Sequence, residues 1–138
     1  MTRVACKTTI HVSADAIWQV IGDFRAACQY LPGVGNCTVE GAGVGALRTL
    51  TTADGSAIVE RLETLDEATH QLSYALLTDT PFRNNLTIIA VRELGPNQAE
   101  LSWSATFEAD GLPASEAVDL LEGALTANCL ALKRVCER

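Results

Sequence analysis

One stripe of apolar residues near the end of the chain constrains everything before it. Ala114, Val118, Leu121, Leu125, Asn128, Leu132 and Val135 recur at alternating steps of four and three. That spacing keeps side chains on one face of an α-helix. Pro113 suits a first helical position. A helix of this length is roughly 35 Å long at 1.5 Å per residue, long enough to cross the concave face of a curved sheet. The preceding segments must therefore supply an apolar face of matching extent.

Those segments read as strands. From Arg3 to Val12 the chain alternates, with Val4, Cys6, Thr8 and Ile10 on one face. Ser13 then offers an N-cap, and Asp15 falls in the first turn, where the helix dipole favours a negative charge. Ile17, Val20, Ile21 and Phe24 follow at helical spacing, and a second short helical stretch runs to about Tyr30 before Pro32-Gly33 stops it. Strands are predicted over 36–40, 46–52, 57–65, 71–78, 84–94 and 98–108, separated by glycine- and proline-marked turns. Consecutive strands with short turns predict an antiparallel meander rather than βαβ units. The expected fold is one α+β domain over residues 1–138. A seven-stranded antiparallel curved sheet wraps around the C-terminal helix, with two short helices between strands 1 and 2.

Composition narrows the function classes. Ten Lys and Arg against seventeen Asp and Glu give a net charge of −7, which disfavours nucleic acid and anionic membrane surfaces. No apolar run approaches the roughly 20 residues that span a bilayer, and the N-terminus lacks a signal-peptide pattern. A cytoplasmic protein without membrane insertion is expected. The five cysteines, Cys6, Cys28, Cys37, Cys129 and Cys136, have no ligand or Cys-x-x-Cys spacing. They read as small hydrophobes, and no metal or cofactor is implied. Asn36-Cys-Thr and Asn85-Leu-Thr match the glycosylation sequon and read as chance in a cytoplasmic chain. His11 and His70 read as surface residues.

Strand parity nominates an inner face. Ala46, Arg48, Leu50 and Thr52 form one inner row, and Ile58, Glu60 and Leu62 the next. Leu72, Tyr74 and Leu76 follow, then Leu86, Ile88 and Ala90, and finally Trp103, Ala105 and Phe107. With Leu125 and Asn128 from the helix, these rows predict a ligand cavity. Arg48 and Glu60 are the charged members. On adjacent strands even a diagonal pair lies within reach of such long side chains. A turn of two or four residues at Asp54-Gly55 would put them on opposite faces as a solvated pair. A turn of three or five residues, or a bulge, would put both inside. Asn128 is either a core residue bonded to backbone or a hydrogen-bonding group aimed into the cavity.

Several strings, in this order, resemble the START-like superfamily (SRPBCC, helix-grip fold). They are Asn36-Cys-Thr-Val-Glu, Gly43-Val-Gly-Ala-Leu-Arg-Thr-Leu, Glu60-Arg-Leu-Glu-Thr-Leu-Asp, His70-Gln-Leu-Ser-Tyr and Pro81-Phe-Arg-Asn-Asn-Leu. The superfamily includes birch-pollen-allergen-like proteins, plant abscisic-acid receptors and bacterial polyketide cyclase/dehydrase-like proteins. The resemblance covers nearly the whole chain and implies a cavity between sheet and long helix. It does not imply one function, because the fold hosts carriers, receptors, cyclases and co-chaperones. In the receptors, an Arg and a Glu matching Arg48 and Glu60 line a polar pocket end, and an Asn matching Asn128 faces the ligand. The receptors' carboxylate-anchoring Lys is replaced here by Gly35. Their gate and latch strings are replaced by Ala53-Asp-Gly-Ser and Pro81-Phe-Arg, so gated hormone sensing is not supported. Loops at 53–56 and 79–84 are still expected to flank the cavity mouth.

The leading expectation is binding or transport of a small hydrophobic molecule of lipid, polyketide or isoprenoid type. A polyketide cyclase/aromatase, with Arg48, Glu60 and Tyr74 as its acid–base groups, is the alternative from the enzyme class. A protein-interaction module is the third reading, and homodimerisation is left open.

Overall fold

The computed structural model describes residues 1–78 and 80–138. Its elements run β1 (Thr2–Ile10), α1 (Ala14–Ile21), a 3-10 helix (Phe24–Gln29), β2 (Val34–Glu40), β3 (Leu47–Thr52), β4 (Ala57–Asp66), β5 (Gln71–Leu76), β6 (Phe82–Gly95), β7 (Gln98–Ala109) and α2 (Ala114–Cys136). The strands form one antiparallel sheet in the order β1-β7-β6-β5-β4-β3-β2. This is the expected helix-grip α+β architecture.

β1 and β2 are neighbours in sequence but opposite edges of the sheet. α1 and the 3-10 helix bridge that span. Ser13 caps α1, its Oγ accepting from the Ala16 N–H at 3.1 Å, a contact worth about 1 kcal/mol. Ile17, Trp18 and Ile21 form the buried stripe of α1. Each such fully buried side chain contributes roughly 1.5–3 kcal/mol over an exposed one. Gly22 ends the helix where a Cβ would stand 2.8 Å from the Trp18 carbonyl oxygen, so only glycine fits there without a shift.

α2 packs mainly on β1 and β7. Its buried residues are Ala117, Leu125, Cys129 and Leu132, whereas Ala114 is exposed. The helix is thus rotated slightly from the predicted stripe, towards the thiol of Cys129. Pro113 is the N-cap rather than the first helical residue. The core joins the inner rows of β7, with Leu101, Trp103, Ala105 and Phe107, to α1 and α2. The far half of the concave face, β3 to β6, is left to line a cavity.

Two irregularities decide which residues face inward. Between β4 and β5 Glu60 pairs with Leu76 and Leu62 with Tyr74, which sets them on one face, and the register shift at Leu62/Thr64 then brings Leu65 opposite Leu72. Between β6 and β7 it shifts at Arg83/Leu86, around Asn84 with its left-handed φ of 53°. One extra residue in a strand reverses the parity of everything beyond it. Asn85, Thr87, Ile89 and Val91 are therefore buried on the inner face. Leu86, Ile88 and Ala90, predicted inside, are half-buried on the outer face.

Candidate functional site

The site begins with the β3–β4 hairpin. Thr52 and Ser56 close it across a three-residue turn, the Thr52 N–H donating to the Ser56 carbonyl at 2.9 Å. Gly55 takes the left-handed position with φ 85°. The Thr52 hydroxyl and the Ser56 N–H both donate to Asp54 Oδ1. This turn length sets Arg48 directly opposite Glu60, a closer pairing than the diagonal one considered from the sequence. Both residues are buried.

The guanidinium is held on several sides. Its Nε and Nη2 donate to Glu60 Oε1 at 3.0 and 2.6 Å, and Nη1 donates to the Phe24 carbonyl at 3.2 Å. Its carbon lies 4.0 Å from the centre of the Phe24 ring and 5.1 Å from that of Tyr74, where the ring faces attract a cation. Burial works to lower the guanidinium's pKa, and Glu60 with the two tyrosines reverses it, so Arg48 stays charged. Burial pushes the Glu60 carboxyl up from 4.5, against the pull of Arg48. Burial also raises the Tyr30 phenol to about 12 and pushes the Tyr74 phenol higher still, with Glu60 adding to the rise at Tyr74. Both phenols are neutral donors at physiological pH.

Next to this pair lies a cavity of about 270 Å³ between β3–β6 and α2. Of the residues nominated from the sequence, Leu50, Ile58, Glu60, Tyr74, Leu76, Leu125 and Asn128 line it. Arg48 stands behind Glu60 and is not part of the wall. Leu62 lies beyond the pair, in a smaller depression of about 170 Å³ with Ala46 and Leu65. Trp103 and Phe107 face inward but belong to the core, where Phe107 meets Phe82 edge-on at 5.3 Å. The bulge at Asn84 takes Leu86 and Ile88 off the inner face. Leu86 instead borders an outer groove of about 440 Å³ with Arg61, Arg83 and Asp110.

Parity alone missed Asn85 and Thr87, which line the cavity from β6. The Thr87 hydroxyl donates to Asn85 Oδ1 at 3.1 Å. Asn85 heads one of the two sequons, and its side chain is buried in the folded chain. Leu31, Pro32 and Val34 close one side, and Leu121 and Ala124 of α2 another. Thr80 and Phe82 border the mouth on the 79–84 side. Residue 79 of that predicted loop lies outside the described residues. From the hairpin, Thr52 rather than loop 53–56 reaches the cavity.

Elsewhere, the cysteines are free. His11 is exposed, whereas His70 stacks on Trp18 with ring centres 5.3 Å apart, a packing role its turn-like sequence did not suggest. No group of metal-ligating side chains assembles among the described residues. No helix among them is long and apolar enough to cross a membrane.

Comparison with known proteins places this arrangement in context. The profile of the family described as polyketide cyclase/dehydrase and lipid transport matches residues 1–137. An uncharacterised Bacillus thuringiensis protein of known structure is 27% identical over 98% of each chain, with a TM-score of 0.91. A START superfamily protein from Mycobacterium smegmatis is 20% identical, over 98% of this chain and 97% of its own, at 0.82. The Zhui aromatase/cyclase from a Streptomyces species is 19% identical, over 99% and 94%, also at 0.82. The last two likenesses show the shared fold. No curated protein matches the sequence.

Proposed function

The chain belongs to the polyketide cyclase/dehydrase and lipid transport family, and we propose that it binds or carries a small hydrophobic molecule of lipid, polyketide or isoprenoid type between sheet and C-terminal helix. One observation carries this reading. The cavity wall is built of leucines, Ile58, Val34, Phe82 and Pro32, with seven side chains bearing polar groups set among them and Glu60 the one carboxyl. That is the usual make-up of a small-molecule site. Five free cysteines support a reducing, cytoplasmic setting.

Native mass spectrometry of protein purified gently from its own host tests the reading. The expected result is a stoichiometric excess mass that disappears on denaturation. A bare protein mass throughout would count against a carrier.

A second reading, a cyclase or aromatase, is favoured by one feature. Glu60 is a cavity-lining carboxyl whose pKa burial raises, as an acid–base group requires. Unchanged turnover of polyketide-like substrates by Glu60→Gln would remove Glu60 from that role.

A further inference from the structure

Resting on the binding reading above, we infer that the molecule is not anionic and bears a hydroxyl, alcoholic or phenolic, which donates a hydrogen bond to Glu60. The argument is one of charge balance within the wall. Among the described residues that line the cavity there is no Lys, Arg or His, and the one carboxyl is that of Glu60. The nearest cation, Arg48, is turned away from a ligand. Two of its nitrogens are on Glu60, the third is on the Phe24 carbonyl, and its face covers the Phe24 ring.

A carboxylate or phosphate entering this space would lose its water beside a like charge and find no cation. Both costs oppose binding. A hydroxyl meets the opposite situation. Both Arg48 bonds fall on Glu60 Oε1, so Oε2 has no bond from the guanidinium. A donor from the ligand completes the carboxylate's coordination in a place of low polarity, where such a bond is strong. Size narrows the class further. At about 270 Å³ the space falls just under the roughly 300–1,000 Å³ common for ligand sites. It takes a one- or two-ring molecule and has no room for a diacyl lipid.

The test is a set of three matched probes titrated into the wild-type protein at neutral pH by calorimetry: para-hydroxybiphenyl, para-methylbiphenyl and biphenyl-para-carboxylate. The phenol is expected to bind about tenfold or more tighter than the methyl compound, the effect of one hydrogen bond to a charged acceptor. The carboxylate is expected to be the weakest. Glu60→Gln, checked for folding by circular dichroism, is expected to narrow the gap between phenol and carboxylate. Equal binding of phenol and methyl compound, or a carboxylate as tight as the phenol, overturns the hydroxyl inference and leaves the binding reading standing. Failure of all three probes to bind overturns both. The wild-type series decides the matter even if the variant does not fold.

Discussion

Among the described residues, Arg48 and Glu60 are each other's one ion-pair partner inside the protein. Removing one partner leaves the other buried and unpaired, which costs about 3–5 kcal/mol, whereas replacing both with apolar residues is often neutral. Arg48→Met is therefore expected to lower stability to urea by about that amount. The double change Arg48→Met with Glu60→Leu is expected to recover most of the loss. A double-variant loss equal to the sum of the losses of Arg48→Met and Glu60→Leu alone would show that the pair is not coupled. The sequence made this pair visible as two charges in apolar rows. It could not say whether they shared a face, because that depends on one residue of turn length, which Asp54-Gly55 alone does not specify.

Among the elements, α2 is unevenly secured. Its C-terminal half buries Leu125, Cys129 and Leu132. There Lys133 Nζ donates to the Thr9 carbonyl at 2.6 Å, and Glu137 accepts from the His11 N–H at 2.8 Å. Its N-terminal half starts at Pro113 with no side-chain cap and buries only Ala117. Local opening follows such differences in packing. Amides of residues 117–122 are expected to exchange at least about tenfold faster than those of 126–134 in hydrogen-exchange mass spectrometry. Uniform protection along α2 would refute this. Leu121 and Ala124, which line the cavity, lie in this loosely held half.

The elements were also what the sequence showed best. Alternation and helical spacing located seven strands and both α-helices to within a few residues. The parity of β6 was not legible, because a bulge at Asn84 needs only a left-handed φ that asparagine tolerates. Nothing in Arg-Asn-Asn-Leu separates that bulge from a plain strand. Leu86 and Ile88 consequently changed faces, and Asn85 and Thr87 entered the site unannounced.

For the molecule as a whole, pH acts through two opposed sets of carboxyls. Hydrogen bonds from Thr52 and Ser56 hold Asp54 at about 2, below its ordinary 3.8. Asp66 and Glu137 are lowered by bonds from Thr69 and from His11. A lowered group stabilises the fold above its unfolded value, and that contribution is lost as pH falls through the folded one. The loss at Asp54 therefore spans about 3.8 to about 2. Glu60 is raised, so the folded chain binds its proton more readily, and stability declines as pH climbs from 4.5 through the raised value. Urea midpoints from about pH 2 to about pH 8 should fall at the acid end and slope downward as pH rises from 4.5 through the raised Glu60 value. Glu60→Gln is expected to flatten the upper slope and leave the acid limb in place. An unchanged upper slope in that variant would assign it to another group.

The pairing of β1 with β7 carries a consequence for synthesis. Each other neighbouring pair in the sheet joins strands consecutive in the chain, so the meander from β2 to β7 can zip up locally as it leaves the ribosome. β1 emerges first, yet its partner ends at Ala109, and α2, which covers both, comes later still. Closing so long a loop is slow compared with forming hairpins. Until β7 emerges, β1 is an edge awaiting a partner, and unpaired edges attract other chains. The nascent chain is thus expected to stay open to such pairing until β7 and α2 appear.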